Sequence, residues 1–213
     1  MTSIDRSVGF RGALSATLIR PAKPQLAWRL RNALRWAFIR GWLGAHLAPL
    51  FSRLTGVVTI WAELRAVLFR ADGGMVNYGV VSYRLITDAG VAFLVDDWDN
   101  NGADISTMNY HGCGTGTNAE AAGDTALQTE CTTILNPDST RATGTRSQPA
   151  ANQYRTVGTL TFDGSGAITE HGVLSQAATG GGTLWDRSVF AAINVAALDS
   201  IQFTYTGTVA SGN

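Results

Sequence analysis

The residues most able to do chemistry are few, and their spacing limits what that chemistry is. Asp97-Trp98-Asp99-Asn100-Asn101-Gly102 sets oxygen-bearing side chains at the first, third and fifth positions of a run with glycine at the sixth. That matches the first half of a calcium-binding loop. The twelfth position is Met108 where a bidentate Glu is needed. Asp97, Asp99 and Asn101 are therefore only a partial calcium candidate, and an acidic turn capping a strand is the better reading. His111-Gly112-Cys113-Gly114-Thr115-Gly116-Thr117 is glycine-rich. It lacks both the Lys-Ser/Thr ending of a phosphate loop and the G-x-G-x-x-G order of a dinucleotide site. Its small residues suit tight turns or close packing between neighbours, so Gly112, Gly114 and Gly116, with Asp124 beyond them, are candidates for an intersubunit loop.

Cys113 and Cys131 are the only cysteines. Their spacing defines no zinc site. A disulfide is possible if the flanking strands pair, but free thiols are the expectation for a protein assembled in a reducing cytosol. The histidines are His46, His111 and His171. Glu170 precedes His171 directly and so points to the opposite face of a strand, which leaves His171 as a hydrogen-bonded strand residue. The chain contains neither G-x-S-x-G nor HExxH, and no pair of carboxylates stands out. No catalytic residue, cofactor or enzymatic activity is expected.

The elements that must position these residues divide the chain in two. From Gly56 onward, β-branched and aromatic residues alternate between Gly/Asp turns. Strands are predicted at 57–69, 78–86, 91–95, 106–111, 128–135, 154–162, 167–174, 184–195 and 200–209, with a hairpin through Asp163-Gly164-Ser165-Gly166. Val189, Ile193 and Val195, and then Ile201, Phe203 and Tyr205, form period-2 faces that pack inward. The fold class is mainly β: an antiparallel sandwich or jelly-roll-like body over 56–213, with a Gly/Thr-rich loop region at about 100–150.

Residues 1–55 read as a basic arm. Pro21 and Pro24 punctuate a helix start. Leu26, Ala27, Leu30, Ala33, Leu34, Ala37 and Phe38 then form an apolar stripe, with Arg29, Arg31, Arg35 and Arg40 mostly off it. Gly41, Gly44 and Pro49 are expected to loosen or end the helix. Trp28, Trp36 and Trp42 lie in the same stretch and join the four Arg as docking candidates. The net charge of zero conceals this asymmetry: residues 1–70 hold eleven bases against two acids, and residues 71–213 hold five bases against fourteen acids. No apolar run reaches the length of a membrane span.

Particular strings carry a resemblance. The run Tyr110-His111-Gly112-x-Gly114-Thr115-Gly116-Thr117, followed by Ala121-Ala122-Gly123-Asp124-Thr125-Ala126-Leu127 and Glu130, resembles a segment of tailed-bacteriophage virion proteins. Ile168-Thr169-Glu170-His171-Gly172, Arg187-Ser188-Val189-Phe190 and the closing Asp199-Ser200-Ile201-Gln202-Phe203-Thr204-Tyr205-Thr206 are similar to their C-terminal half. The resemblance covers about residues 56–210. It implies a non-enzymatic structural protein of the virion, with the capsid surface favoured over the tail. Such a capsid decoration (cement) or minor capsid protein would dock on the major capsid protein or other virion proteins through its arm. A homo-oligomer is expected, with a trimer as the guess, and neither nucleic acid nor membrane is an expected partner. The alternatives are a tail-fibre or adaptor protein aiding host attachment, and a carbohydrate- or receptor-binding sandwich with Trp61, Trp98 and Trp185 as stacking platforms.

Overall fold

A computed structural model describes residues 26–33, 35–84 and 86–212. Its elements in chain order are α1 (Leu26–Ala33), α2 (Trp36–Thr55), β1 (Thr59–Phe69), β2 (Met75–Arg84), α3 (Asp88–Trp98), β3 (Tyr110–Gly114), β4 (Ala142–Thr143), β5 (Thr145–Ser147), β6 (Gln153–Thr161), β7 (Gly166–Leu174), β8 (Leu184–Val195) and β9 (Ser200–Ala210), with one 3-10 turn at Ile105–Thr107. Two antiparallel sheets, ordered β2-β1-β9-β6-β5 and β4-β3-β7-β8, pack together as a sandwich. Alternation fixes the register of the first. Ala62, Leu64, Ala66 and Leu68 of β1 stand opposite Gly207, Tyr205, Phe203 and Ile201 of β9, so the apolar set of both strands points at the second sheet. Phe190, Ile193 and Val195 of β8 with Ile168 and Val173 of β7 meet it from the other side.

Three local expectations are corrected. The segment 91–95 is not a strand but the middle of α3. Thr87 caps this helix: its Oγ1 accepts from the Gly90 N–H at 3.0 Å and donates to the Leu184 carbonyl at 2.6 Å. Gly90, Phe93 and Leu94 face the body at helical spacing. The turn at 163–166 does not close a hairpin, because β6 pairs with β5 and β9 while β7 pairs with β3 and β8. That turn crosses between the sheets. Residues 128–135 form no strand; their only ladder pairings are the isolated bridges Gly114 to Glu130 and Leu135 to Phe162.

The arm is corrected in its details. Helix α2 runs through Gly41, Gly44 and Pro49 to a left-handed Gly56 that caps it by donating to the Ser52 carbonyl at 2.9 Å. Glycine is required at 41, where an added Cβ would strike the Tyr83 carbonyl oxygen. Residues 1–25, with Pro21 and Pro24, residue Leu34, and the side chains of Leu26, Trp36 and Ala37 lie outside what is described. The described stripe residues of α1, Ala27, Leu30 and Ala33, point out, while Trp28 and Asn32, one turn apart, point in.

That inward pair seals two irregular strands. The β1–β2 register skips Tyr78 and Val81 as extra residues on β2, and the β7–β8 register skips the stretch around Ala191. Such bulges leave backbone groups unpaired. Asn32 Nδ2 donates to the Val81 carbonyl at 2.8 Å, its Oδ1 accepts from the Ala191 N–H at 3.1 Å, and the Trp28 ring lies 4.7 Å from that of Tyr78. One amide thus bridges an edge strand of each sheet. Replacing it in Asn32→Leu strands two buried backbone groups, at about 1–3 kcal/mol each. Urea unfolding is expected to show a loss of about 2–4 kcal/mol, and a loss under 1 kcal/mol would contradict this role.

Candidate functional site

The glycine-rich segment builds an interior rather than a surface. Gly112, Gly114 and Gly116 are buried in the chain's own fold. A Cβ at Gly116 would lie 2.5 Å from Glu170 Oε1 and 2.6 Å from Gln128 Cβ, and one at Gly114 would strike the Thr129 carbonyl. The room left at Gly114 and Gly116 is filled by the Glu170 carboxylate, which is fully buried. It accepts from the N–H groups of Gly116 (3.0 Å), Gln128 (3.0 Å) and Thr129 (2.7 Å) and from Arg187 Nε (2.8 Å). The same guanidinium donates to Asp124 at 3.0 Å. The proposed intersubunit loop is therefore held to this chain by a buried charge network, and its glycines are spacers for a carboxylate. A second pair continues it: Arg141 donates to both oxygens of Glu130, at 2.6 and 2.9 Å, and to the carbonyls of Gln176 and Gly181.

The opposite face of β7 carries His171, as strand geometry requires. Its Nε2 lies 2.9 Å from His111 Nδ1, and His111 Nε2 lies 3.1 Å from Thr156 Oγ1. Both rings are buried between the sheets, and His171 Nδ1 has no partner among the described residues. An orphaned N–H costs more than a bare lone pair. The favoured arrangement therefore has His171 Nε2–H donating to His111, and His111 Nε2–H donating to Thr156. Burial pushes the pKa of His111 down to about 3. His171 is lowered well below its ordinary value by burial and then by His111. Cys113 and Cys131 are buried free thiols, joined through the Cys131 N–H to the Cys113 carbonyl at 2.9 Å.

The calcium candidate is dispersed. Asp97 lies in the last turn of α3, where its Oδ1 accepts from the Ile105 N–H at 3.1 Å, and Asp99 follows the helix end. The described residues hold no group of three or more His, Cys, Asp or Glu placed for a metal ion. The three tryptophans do not converge either. Trp61 lines an open groove of about 1060 Å³ with Arg53, Gln148 and Asn152, Trp98 stands on α3, and Trp185 is buried with its N–H on Tyr205 Oη at 2.9 Å.

What remains is a surface. Trp28 is committed to the core, but Arg29, Arg31 and Arg40 are exposed, Arg35 is half-buried and Trp42 lies over His46 at 4.5 Å. Helix α2 packs on β1 and β2 through Phe38, Gly41, Ala45 and Ser52. Its other side exposes Leu43, Leu47, Leu50, Phe51 and Leu54, the last 76% exposed. The four leucines follow the 4-3-4 spacing of a helix-pairing seam. The missed signal was a helix apolar on both sides with no acidic residue in it. No described helix is long and apolar enough to cross a membrane.

No protein-family model, curated protein or solved structure matches the chain.

Two measurements check the interior. Arg187→Leu leaves the Glu170 charge buried without its cation, so unfolding free energy is expected to fall by about 3–5 kcal/mol. A thermal midpoint equal to wild type would contradict the network. The histidine pair has folded pKa values below the unfolded value, so the unfolded chain binds more protons as pH drops. Stability from the pair is complete above about pH 6.5 and is lost as pH falls toward about 3, by about 1.4 kcal/mol per pH unit for each proton. Urea midpoints at pH 7 and pH 5 are expected to differ in that direction, and equal midpoints would exclude a buried neutral pair.

Proposed function

We propose that the chain is a non-enzymatic structural protein of a tailed-phage virion. It acts as a capsid decoration (cement) or minor capsid protein that docks on neighbouring subunits through its N-terminal helices. In this reading the two-sheet body is a jelly-roll-like display module and residues 1–55 are its docking arm. The observation that carries the proposal is the exposed leucine face of α2, flanked by Arg40 and Arg53. An apolar ridge of this kind marks a surface that is covered in the working assembly. Its basic rim suits a neighbouring subunit with acidic side chains. The resemblance of the segments 110–130 and 168–206 to tailed-phage virion proteins supports the virion setting.

The same body and arm would serve a tail-fibre or adaptor protein, and location on the particle separates the two. In particles purified from infected cells, the chain is expected by mass spectrometry at a copy number on the scale of the shell subunits. A few copies that fractionate with tails would favour the adaptor alternative, and absence from particles would overturn the proposal. Leu47→Glu is expected to remove the chain from particles while leaving its circular dichroism unchanged.

A further inference from the structure

Helix α3 offers the counterpart that α2 lacks. Val91, Val95 and Trp98 are exposed at i, i+4 and i+7 on its outer side, Trp98 to 75%. They form a second apolar stripe, shorter than the first. Its borders are acidic: Asp88 opens the helix, Asp96 lies in its last turns and Asp99 follows its end, all exposed. The described part of the chain thus carries two unpartnered helix faces of opposite charge. One is leucine-rich and edged by Arg40 and Arg53, and the other is edged by Asp88 and Asp99.

We propose that α2 of one copy docks on α3 of the next, so that the chain assembles with itself head to tail. The proposal rests on reading α2 as a docking face, and it names a second copy of this chain as the occupant. Charge decides against the symmetric alternatives. Two α2 helices laid together bring arginine against arginine, and two α3 helices bring aspartate against aspartate. The mixed pair sets opposite charges at both ends. Arg40 and Arg53 are about 20 Å apart along their axis and Asp88 and Asp99 about 17 Å along theirs, so either direction of docking places a guanidinium near a carboxylate at each end. Apolar contact between the stripes supplies the attraction, and the charged ends set the register. An interface that uses different surfaces on its two sides closes into a ring or grows as a filament.

The test uses the full chain in solution and reads mass by sedimentation. Wild type is expected to associate. Leu47→Glu, which spoils only α2, and Val95→Lys, which spoils only α3, are each expected to sediment as monomers or to associate at least tenfold more weakly. Both positions are exposed, and unchanged thermal midpoints confirm that the variants fold. Mixing the two variants is decisive: the intact α3 of the first and the intact α2 of the second are expected to form a one-to-one pair that grows no further. A monomeric wild type overturns the proposal, whether α2 is then covered by residues 1–25, by another protein or by anionic lipid vesicles. So does association lost on Leu47→Glu but untouched by Val95→Lys, which would mean that α2 pairs with α2. A chain that assembles in solution but is missing from particles defeats only the virion function. A monomer that still occupies particles defeats only this contact.

Discussion

The buried carboxylate of Glu170 is the constraint around which the long middle of the chain is arranged. Removing a charge from water is tolerable only where its lone pairs are met by donors and its charge by a cation. Here three backbone N–H groups and Arg187 supply both. Two of those N–H groups, on Gln128 and Thr129, belong to a segment that has no strand of its own. The third, on Gly116, lies at the start of the loop. A stretch with few large apolar residues has little hydrophobic reason to hold one shape. Satisfying one anion gives it that reason, and the Glu130–Arg141 pair repeats the device a few residues later. The glycines at 112, 114 and 116 follow from it, because a side chain there would occupy the space of a carboxylate or of its donors.

The helices solve a different problem. Bulges let β2 and β8 curve at the border where the two sheets meet, and each bulge leaves a polar group facing inward. Asn32 answers both with one side chain, and Trp28 covers the ring of Tyr78 beside it. Residues 26–55 therefore have two faces with separate duties. One completes the sandwich, and the other stands free. An element so placed is not an appendage that could be cut away without effect on the body, even though its composition differs sharply from it.

Much of this was legible from residue types alone. The change of period near Gly56, the inward set of β9, the β7 position of His171 and the basic character of the first helices follow from alternation and from counts of charge, whereas the β8 bulge turns Phe190 rather than Val189 inward. The misreadings share a physical cause, which is that local pattern does not name the partner. Val91 to Val95 has strand composition, but a Thr87 cap and close packing of Gly90 on Trp185 make it helical. The 154–174 pair has a hairpin's turn, but β6 finds its partners in distant β9 and in β5. Leu30 belongs to an apolar stripe, yet it points outward, and Asn32 and Trp28 meet the bulges instead. No spacing rule reveals that Glu170 is buried, since the three backbone N–H groups that meet it come from residues more than forty positions away.

The opposed charges of the two parts also change meaning once they are placed. Counted along the chain, the body is as acidic as the first 70 residues are basic. Several of its acids are spent inside: Glu170 and Asp124 on Arg187, Glu130 on Arg141, and Asp199 on Arg70. For Asp199, burial works to raise the pKa, but the N–H groups of Ala196 and Ala71 together with Arg70 outweigh it and leave it lowered. Acids used in this way contribute little to the field outside the molecule, because each sits against a cation or a row of donors. Much of what reaches solvent is local, and α3 carries a dense share of it beside an exposed valine and tryptophan stripe. The asymmetry is therefore less a property of arm against body than of two helices, each with apolar residues between like charges. A field that concentrated orients an approaching surface over about a Debye length and falls away beyond it. It selects which faces meet rather than how strongly the whole molecule attracts.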